Sequence, residues 1–239
     1  MSVKTFDTHL HLLNVNPLVL PSSQIFLNVT TRSSEWAVAL ELASQSNNVL
    51  TALGIHPWFV NEQSSLELKQ LKWLLERNTV DCIGEVGLDF YEEYLLNKQL
   101  QLDVFSEQLA ISSEFSLPLS LHCRKAWQDL IKMLSAGSYS GVIHGYTGSI
   151  ELAERFLSVG MRIGIGKNLL NPNFKKLRQT VKQLDLIYMV VETDYSGDSG
   201  FGMQIEEIIK EIGLIKNITF EEVAITVYGN AKKIFGEKI

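Results

Sequence analysis

Two histidines open the chain's chemistry, in Asp7-Thr8-His9-Leu10-His11. Residues two apart on a strand point to the same side, so His9 and His11 can converge on one metal ion through neutral imidazole nitrogens. A bare H-x-H is a weak signal, and two half-exposed strand histidines read equally well. Glu85 lies inside the apolar run Ile83-Gly84-Glu85-Val86-Gly87-Leu88-Asp89. An unpaired buried carboxylate is costly, so Glu85 needs a metal or a basic side chain, and the flanking glycines suggest that something approaches the backbone closely there. His122, in Leu119-Ser-Leu-His122-Cys123-Arg124, and His144, in Val142-Ile143-His144-Gly145, stand where their apolar runs end. Either one alone reads as a satisfied core histidine; both, beside the H-x-H pair, read as ligands. Asp194 closes Glu192-Thr193-Asp194 after Met189-Val190-Val191. A carboxylate there can ligate a metal and orient water, or simply cap a turn.

Four histidines, one glutamate and one aspartate make a set without cysteine. That favours hard or borderline divalent ions such as Mg, Zn or Mn over soft-metal sites. Six donors exceed the needs of one open catalytic zinc. They suit two divalent ions per chain, roughly 3.5–4 Å apart and sharing a bridging carboxylate. Such a pair deprotonates a water, binds a phosphoryl oxygen and stabilises the leaving oxygen.

Something must bring these residues together, and the rest of the chain says what. Short apolar, β-branched runs alternate with segments of helical period. Eight strands are predicted near 3–9, 25–31, 49–56, 80–88, 117–123, 140–145, 162–166 and 187–193. Runs such as Ile187-Tyr-Met-Val-Val191 are nearly continuous in apolar residues, as in parallel strands covered on both faces. Between them, Trp36, Ala39, Leu40 and Ala43 form a helical stripe. So do Trp127, Leu130, Ile131 and Leu134; Ile205, Ile208, Ile209 and Ile212; and Phe220, Val223, Ala224 and Val227. A long helix is predicted over 97–115, and Thr219 with Glu222 reads as a capping box opening the last helix. The alternation predicts an α/β fold, a (β/α)₈ TIM barrel forming a single domain over 1–239. Residues 12–24 hold Pro17 and Pro21 and no stripe, so the barrel is expected to be slightly distorted, with an irregular first connection. In such a barrel the strand C-termini form the active site.

The bulk properties agree. A formal net charge of −6 argues against a non-specific nucleic-acid coat protein, which would need a basic face, but not against an enzyme that offsets substrate charge locally. Cys82 and Cys123 sit in apolar runs as small buried hydrophobes. No secretory signal and no bilayer-length apolar run is evident, so a cytoplasmic protein is expected, without membrane association and without an obligate protein partner.

The ordered motifs resemble the TatD family of metal-dependent hydrolases, within the amidohydrolase-like barrels. They are DTHLH at 7–11, GIHPW at 54–58, IGEVGLDF at 83–90, a helix with Gln101, Phe105 and Gln108, LPLSLHCRKA at 117–126, VIHGYTGS at 142–149, ETD at 192–194 and NAKKIF at 230–235. The resemblance implies His9 and His11 at one metal, His122 and His144 at the other, and Glu85 bridging the two. It implies Asp194 as a ligand of the first metal and as the general base. Glu85 stands where related amidohydrolases often use a modified lysine, so no modified lysine is implied. Family members are known or proposed as DNases, often magnesium-dependent, and some as deacylases of misacylated tRNA. The expected substrate is therefore DNA or a small phosphoester, with an amide, lactone or aminoacyl ester as the alternative and a non-catalytic metal-stabilised scaffold behind it. Arg124 is expected to contact phosphate through its planar fork, or else to form a surface ion pair. His56 is expected to contact substrate or to order the Gly54–Pro57 turn, and Lys167 and Tyr91 to lie at the rim. After Asp194 the chain departs from the family. Tyr195-Ser-Gly-Asp198-Ser-Gly-Phe-Gly202 replaces a longer arginine-bearing loop, which puts polynucleotide cleavage in more doubt than hydrolysis.

Overall fold

A computed structural model of the chain describes residues 3–13, 20–197 and 203–236. Its eight strands are β1 Thr5–Leu10, β2 Gln24–Val29, β3 Val49–Leu53, β4 Cys82–Asp89, β5 Leu119–Arg124, β6 Gly141–Ile143, β7 Met161–Ile165 and β8 Met189–Val191. They lie side by side in sequence order and every neighbouring pair is parallel. From β2 onward a helix follows each strand: α1 Trp36–Ser44, α2 Ser64–Leu75, α3 Lys98–Phe115, α4 Trp127–Leu134, α5 Ile150–Ser158, α6 Lys175–Gln183 and, after β8, α7 Met203–Lys216. One more, α8 Phe220–Phe235, ends the order. The predicted barrel is the fold. The described parts of the first connection, 11–13 and 20–23, contain no helix; Pro17 lies outside the described residues.

The predicted stripes are the faces that pack. Trp36, Ala39 and Ala43 of α1, Ile205, Ile208, Ile209 and Ile212 of α7, and Val223, Ala224 and Val227 of α8 are all buried. Thr219 accepts from the Glu222 N–H at 3.2 Å, capping α8 at the predicted position. From α8, Phe235 meets Phe6 of β1 with ring centroids 6.1 Å apart. Its buried Asn230 donates to the carbonyls of Leu186 at 2.9 Å and Met189 at 2.8 Å, satisfying backbone at the start of β8. Strand eight is shorter than predicted. Leu186–Tyr188 is a 3₁₀ turn, because the Asp185 carboxylate accepts from the Ile187 N–H at 3.1 Å, and Ile187 is exposed rather than buried on both faces. Strand three likewise stops at Leu53, leaving His56 in the following turn.

Polar bonds hold β1 to the end of β8. Thr8 Oγ1 donates to Val191 O at 3.0 Å, and the Asp194 N–H to His9 O at 2.9 Å. The buried Asp7 carboxylate accepts from Thr193 N at 3.0 Å and Thr193 Oγ1 at 2.6 Å. Burial lifts the Asp7 carboxyl to about 7, against the pull of those Thr193 bonds. Thr193→Val leaves Asp7 short of a donor in a dry place. It should cost about 1–3 kcal/mol, at about 2–4 °C of Tm per kcal/mol for a chain of this size. Thermal melts of the metal-free protein check this; an unchanged Tm would show that the seam does not depend on that bond.

Two irregularities in the strand register bracket the residues singled out above. The β1–β2 register shifts between Asp7 and Leu10, around His9, and the β4–β5 register shifts between Ile83 and Val86, around Glu85. Such bulges re-aim side chains beside active sites. The glycines flanking Glu85 admit β5. A Cβ on Gly84 would come within 2.6 Å of Ser120 Cβ, and one on Gly87, at φ +138°, within 2.0 Å of His122 O.

Candidate metal centre

Glu85 is the hub of the barrel mouth. It is buried, and its two oxygens face different groups of histidines. Oε2 lies 3.4 Å from His9 Nε2 and 3.7 Å from His11 Nε2. Oε1 lies 2.8 Å from His144 Nε2, 3.1 Å from His122 Nδ1 and 3.3 Å from His56 Nε2. Asp194 Oδ1 stands 3.7 Å from His11 Nε2, on the Oε2 side. Burial alone would raise the Glu85 carboxyl, yet the surrounding histidines hold it well below the usual carboxylate range.

What each ring does with its outer nitrogen decides which lone pair is free. His11 Nδ1 is 3.1 Å from Val29 O, which can only accept, so Nδ1 carries a proton and Nε2 is the nitrogen turned to Glu85 and Asp194. His122 Nε2 donates to Asp89 Oδ2 at 3.0 Å, so Nδ1, 3.1 Å from Glu85 Oε1, is the nitrogen that would turn to a metal on giving up its proton. His9 Nδ1 pairs with Ser120 Oγ at 2.9 Å, and its fully buried Nε2 has no hydrogen-bond partner. His56 is the opposite case. Its Nδ1 accepts from the Trp58 N–H at 3.1 Å. Burial lowers its pKa, so it stays neutral with its proton on Nε2, aimed at Glu85. It therefore serves as a donor, although its position groups it with Glu85 and His122. It also orders the turn, as a cap of Pro57–Phe59.

These residues fit divalent metal. His9 Nε2 is fully buried and has no hydrogen-bond partner, as suits a nitrogen placed for a cation. Ligands about 2.0–2.2 Å from one ion sit roughly 3–3.6 Å from each other, and the donor spacings around Glu85 run from 2.8 to 3.7 Å. One group comprises His9, His11 and Asp194. His144 touches both halves: its Nε2 is 3.5 Å from His122 Nδ1, and its ring stacks on His9 at 3.8 Å between centroids.

Supporting residues escape sequence reasoning. Asp89, buried, takes His122 on Oδ2 together with the Trp58 indole N–H at 2.7 Å, and the Tyr91 N–H on Oδ1 at 2.9 Å. Glu192, also buried, accepts from Gly145 N, with Oε1 3.7 Å from His144 Nδ1. The argument that singled out Glu85, a carboxylate in an apolar run, applies to Glu192 and could have found it. The glutamines of α3 hold strand ends. Gln101 pairs with both the N–H and the carbonyl of Asp89 at 2.9 Å, and Gln108 with those of Ile55 at 2.8 and 3.2 Å.

A cavity of about 660 Å³ opens above Glu85. His11, His56, His122, His144 and Asp194 line it, together with Trp58, Phe59 and Val38. Its basic members are Arg32 and Lys167, the latter with Nζ 4.0 Å from Asp194 Oδ2. Arg124 is not among the described residues that line it; its guanidinium lies 3.6 Å over the Tyr91 ring. After Asp194 the chain is described to Gly197, so Asp198 to Gly202 lie outside the described residues.

Comparison with known proteins bears on this mouth. The family model described as TatD related DNase matches residues 6–236. The uncharacterized metal-dependent hydrolase YabD of Bacillus subtilis (strain 168) is 27% identical over 252 residues, covering 96% of this chain and 98% of YabD. The 3'-5' ssDNA/RNA exonuclease TatD of Erwinia amylovora is 30% identical over 223 residues, covering 86% of each chain. The crystal structure of YjjV, a TatD homolog from Escherichia coli K12, superposes with a TM-score of 0.86 at 27% identity, over 98% of this chain and 99% of that one. Among the described residues no helix is long and apolar enough to cross a membrane.

Proposed function

The chain belongs to the TatD-related DNase family of metal-dependent hydrolases, and from that premise we propose that it is a two-metal phosphoesterase acting on short nucleic-acid strands or small phosphoesters. The observation that carries this reading is the buried Glu85, each of whose oxygens faces its own set of imidazole nitrogens. His9, His11 and Asp194 would hold one divalent ion, His122 and His144 the other, and Glu85 both. When bound, the ions would lower the pKa of water and neutralise charge on a phosphoryl oxygen. Asp194, a half-exposed carboxylate held in its ionised form by His11, accepts the proton of the attacking water. His56 holds its Nε2–H toward Glu85 Oε1 and so orients that carboxylate, and Asp89 and Ser120 keep the rings of His122 and His9 turned inward. The test is a substrate panel with metal reconstitution, comprising a phosphodiester, a phosphomonoester, single-stranded DNA and an aminoacyl ester. Turnover confined to the aminoacyl ester would move the reading to deacylation at the same residues.

Metal uptake should depend on pH. Burial disfavours the charged form of His144 and His122, but Glu85 with Glu192 for His144, and Asp89 with Glu85 for His122, outweigh it and raise both pKa values. Without metal these rings thus hold protons above the ordinary histidine range, and a metal must displace them. Affinity should rise with pH through and above about 6.5, by about tenfold per unit for each proton released. Calorimetry in buffers of different ionisation heat counts the protons; no release would show the rings already neutral.

Substrate length should matter little. Among the described residues the cavity offers one arginine and one lysine, whereas a long strand is held by several phosphate contacts that make affinity fall steeply with salt. Short oligonucleotides should be cleaved nearly as well as long ones. A large gain in kcat/KM with length, with a steep salt slope, would reveal an extended basic track.

A further inference from the structure

Arg32 is the arginine that faces the cavity, and the hydrolase mechanism leaves it unused. It follows β2 in the turn that leads to α1. Its Nε donates to Glu35 Oε1 at 2.9 Å. Glu35 is itself fixed, accepting from the Thr31 N–H at 2.6 Å and from Thr31 Oγ1 at 3.0 Å. The guanidinium lies 4.5 Å over the Phe59 ring, in the turn that His56 caps. A carboxylate behind and an aromatic plane beneath thus restrain a side chain that would otherwise lose considerable rotamer freedom on binding. Among the described residues neither Nη group has a hydrogen-bond acceptor, and the side chain is 52% exposed. This is a fork held ready for an anion. Lys167, the other cation of the cavity, stands against Asp194, and Arg124 stacks on Tyr91 and is not among the described residues that line the cavity. The cavity wall also holds the apolar Leu13, Val38 and Phe59 and the polar Thr31, Ser34 and Glu35. The cavity is of small-ligand size, within about 300–1,000 Å³.

We propose that Arg32 binds a second phosphate of the substrate, so that the preferred substrates are short nucleotides carrying a further phosphate beyond the one at the histidines. This rests on the phosphoesterase reading and adds to it a specificity-determining residue. The test is equilibrium binding to the metal-loaded protein of two dinucleotides with a phosphorothioate linkage, which keeps its charge and resists hydrolysis. One carries a terminal phosphate and the other does not. In the unaltered protein the terminal phosphate should tighten binding by about tenfold, as one charged hydrogen-bonded contact would. Arg32→Ala should abolish most of that preference and Arg32→Lys should keep part of it. The Thr31–Glu35 bonds that shape the turn remain in both. Absence of preference in the unaltered protein, persistence of it in Arg32→Ala, or its loss in Arg124→Ala instead would each overturn the proposal. Binding needs no turnover. A protein that cleaves no phosphoester yet shows the Arg32-dependent preference would sink the phosphoesterase reading and leave Arg32 as a phosphate-binding residue only.

Discussion

Glu85→Ala should reduce phosphoester turnover by at least roughly 10²–10⁴-fold, the loss typical of a central catalytic group, and should leave less than one tightly held ion per chain. The reason is geometric. Five histidine nitrogens lie within 2.8–3.7 Å of the Glu85 carboxylate, and both proposed ions need it as a shared ligand. Without it each ion loses a donor and their mutual repulsion goes uncompensated. The barrel should survive, because its packing lies in the apolar strand and helix faces rather than at the mouth. A second readout separates electrostatics from folding. Glu85 helps hold the pKa values of His144 and His122 up, so in metal-free Glu85→Ala both should titrate lower by NMR. An active, metal-replete Glu85→Ala protein would refute the bridging role.

Asp194→Asn should act on turnover more than on structure. Asp194 sits at φ +52°, a left-handed conformation that asparagine adopts as readily as aspartate, so the backbone should tolerate the change. What disappears is the negative charge 3.7 Å from His11 Nε2, and with it the acceptor for the water's proton. At saturating metal, kcat should fall by roughly 10²–10⁴-fold, while the His122–His144 ion stays bound. The His9–His11 ion should bind more weakly. Measuring kcat against metal content distinguishes the two effects. A variant within tenfold of the unaltered kcat at full loading would remove Asp194 from proton transfer and leave it at most a ligand.

The barrel was legible in the sequence because its signals are local. Stripes such as Ile205, Ile208, Ile209 and Ile212, and apolar runs such as that around Glu85, bury where their periods say they must. The start of β8 was misread because Ile187 is apolar yet exposed; the Asp185 cap that turns the backbone away outweighs it. At the mouth, residue types and strand-end positions brought His9, His11, Glu85, His122, His144 and Asp194 into one expected cluster, and the structure puts them there. The use of each ring was not legible. That His56 donates rather than ligates depends on a hydrogen bond from Trp58 N, and the orientation of His122 on Asp89 across two strands. Nor could spacing show that Arg124 turns onto Tyr91 while Arg32, from another strand end, faces the cavity.

Metal stoichiometry followed alongside activity tests the account most directly. Metal-free protein titrated with Mn or Zn should bind two ions per chain, and phosphoesterase activity should appear only as the second site fills. Full activity at a single ion per chain, with no further uptake at saturation, would contradict the paired site built around Glu85.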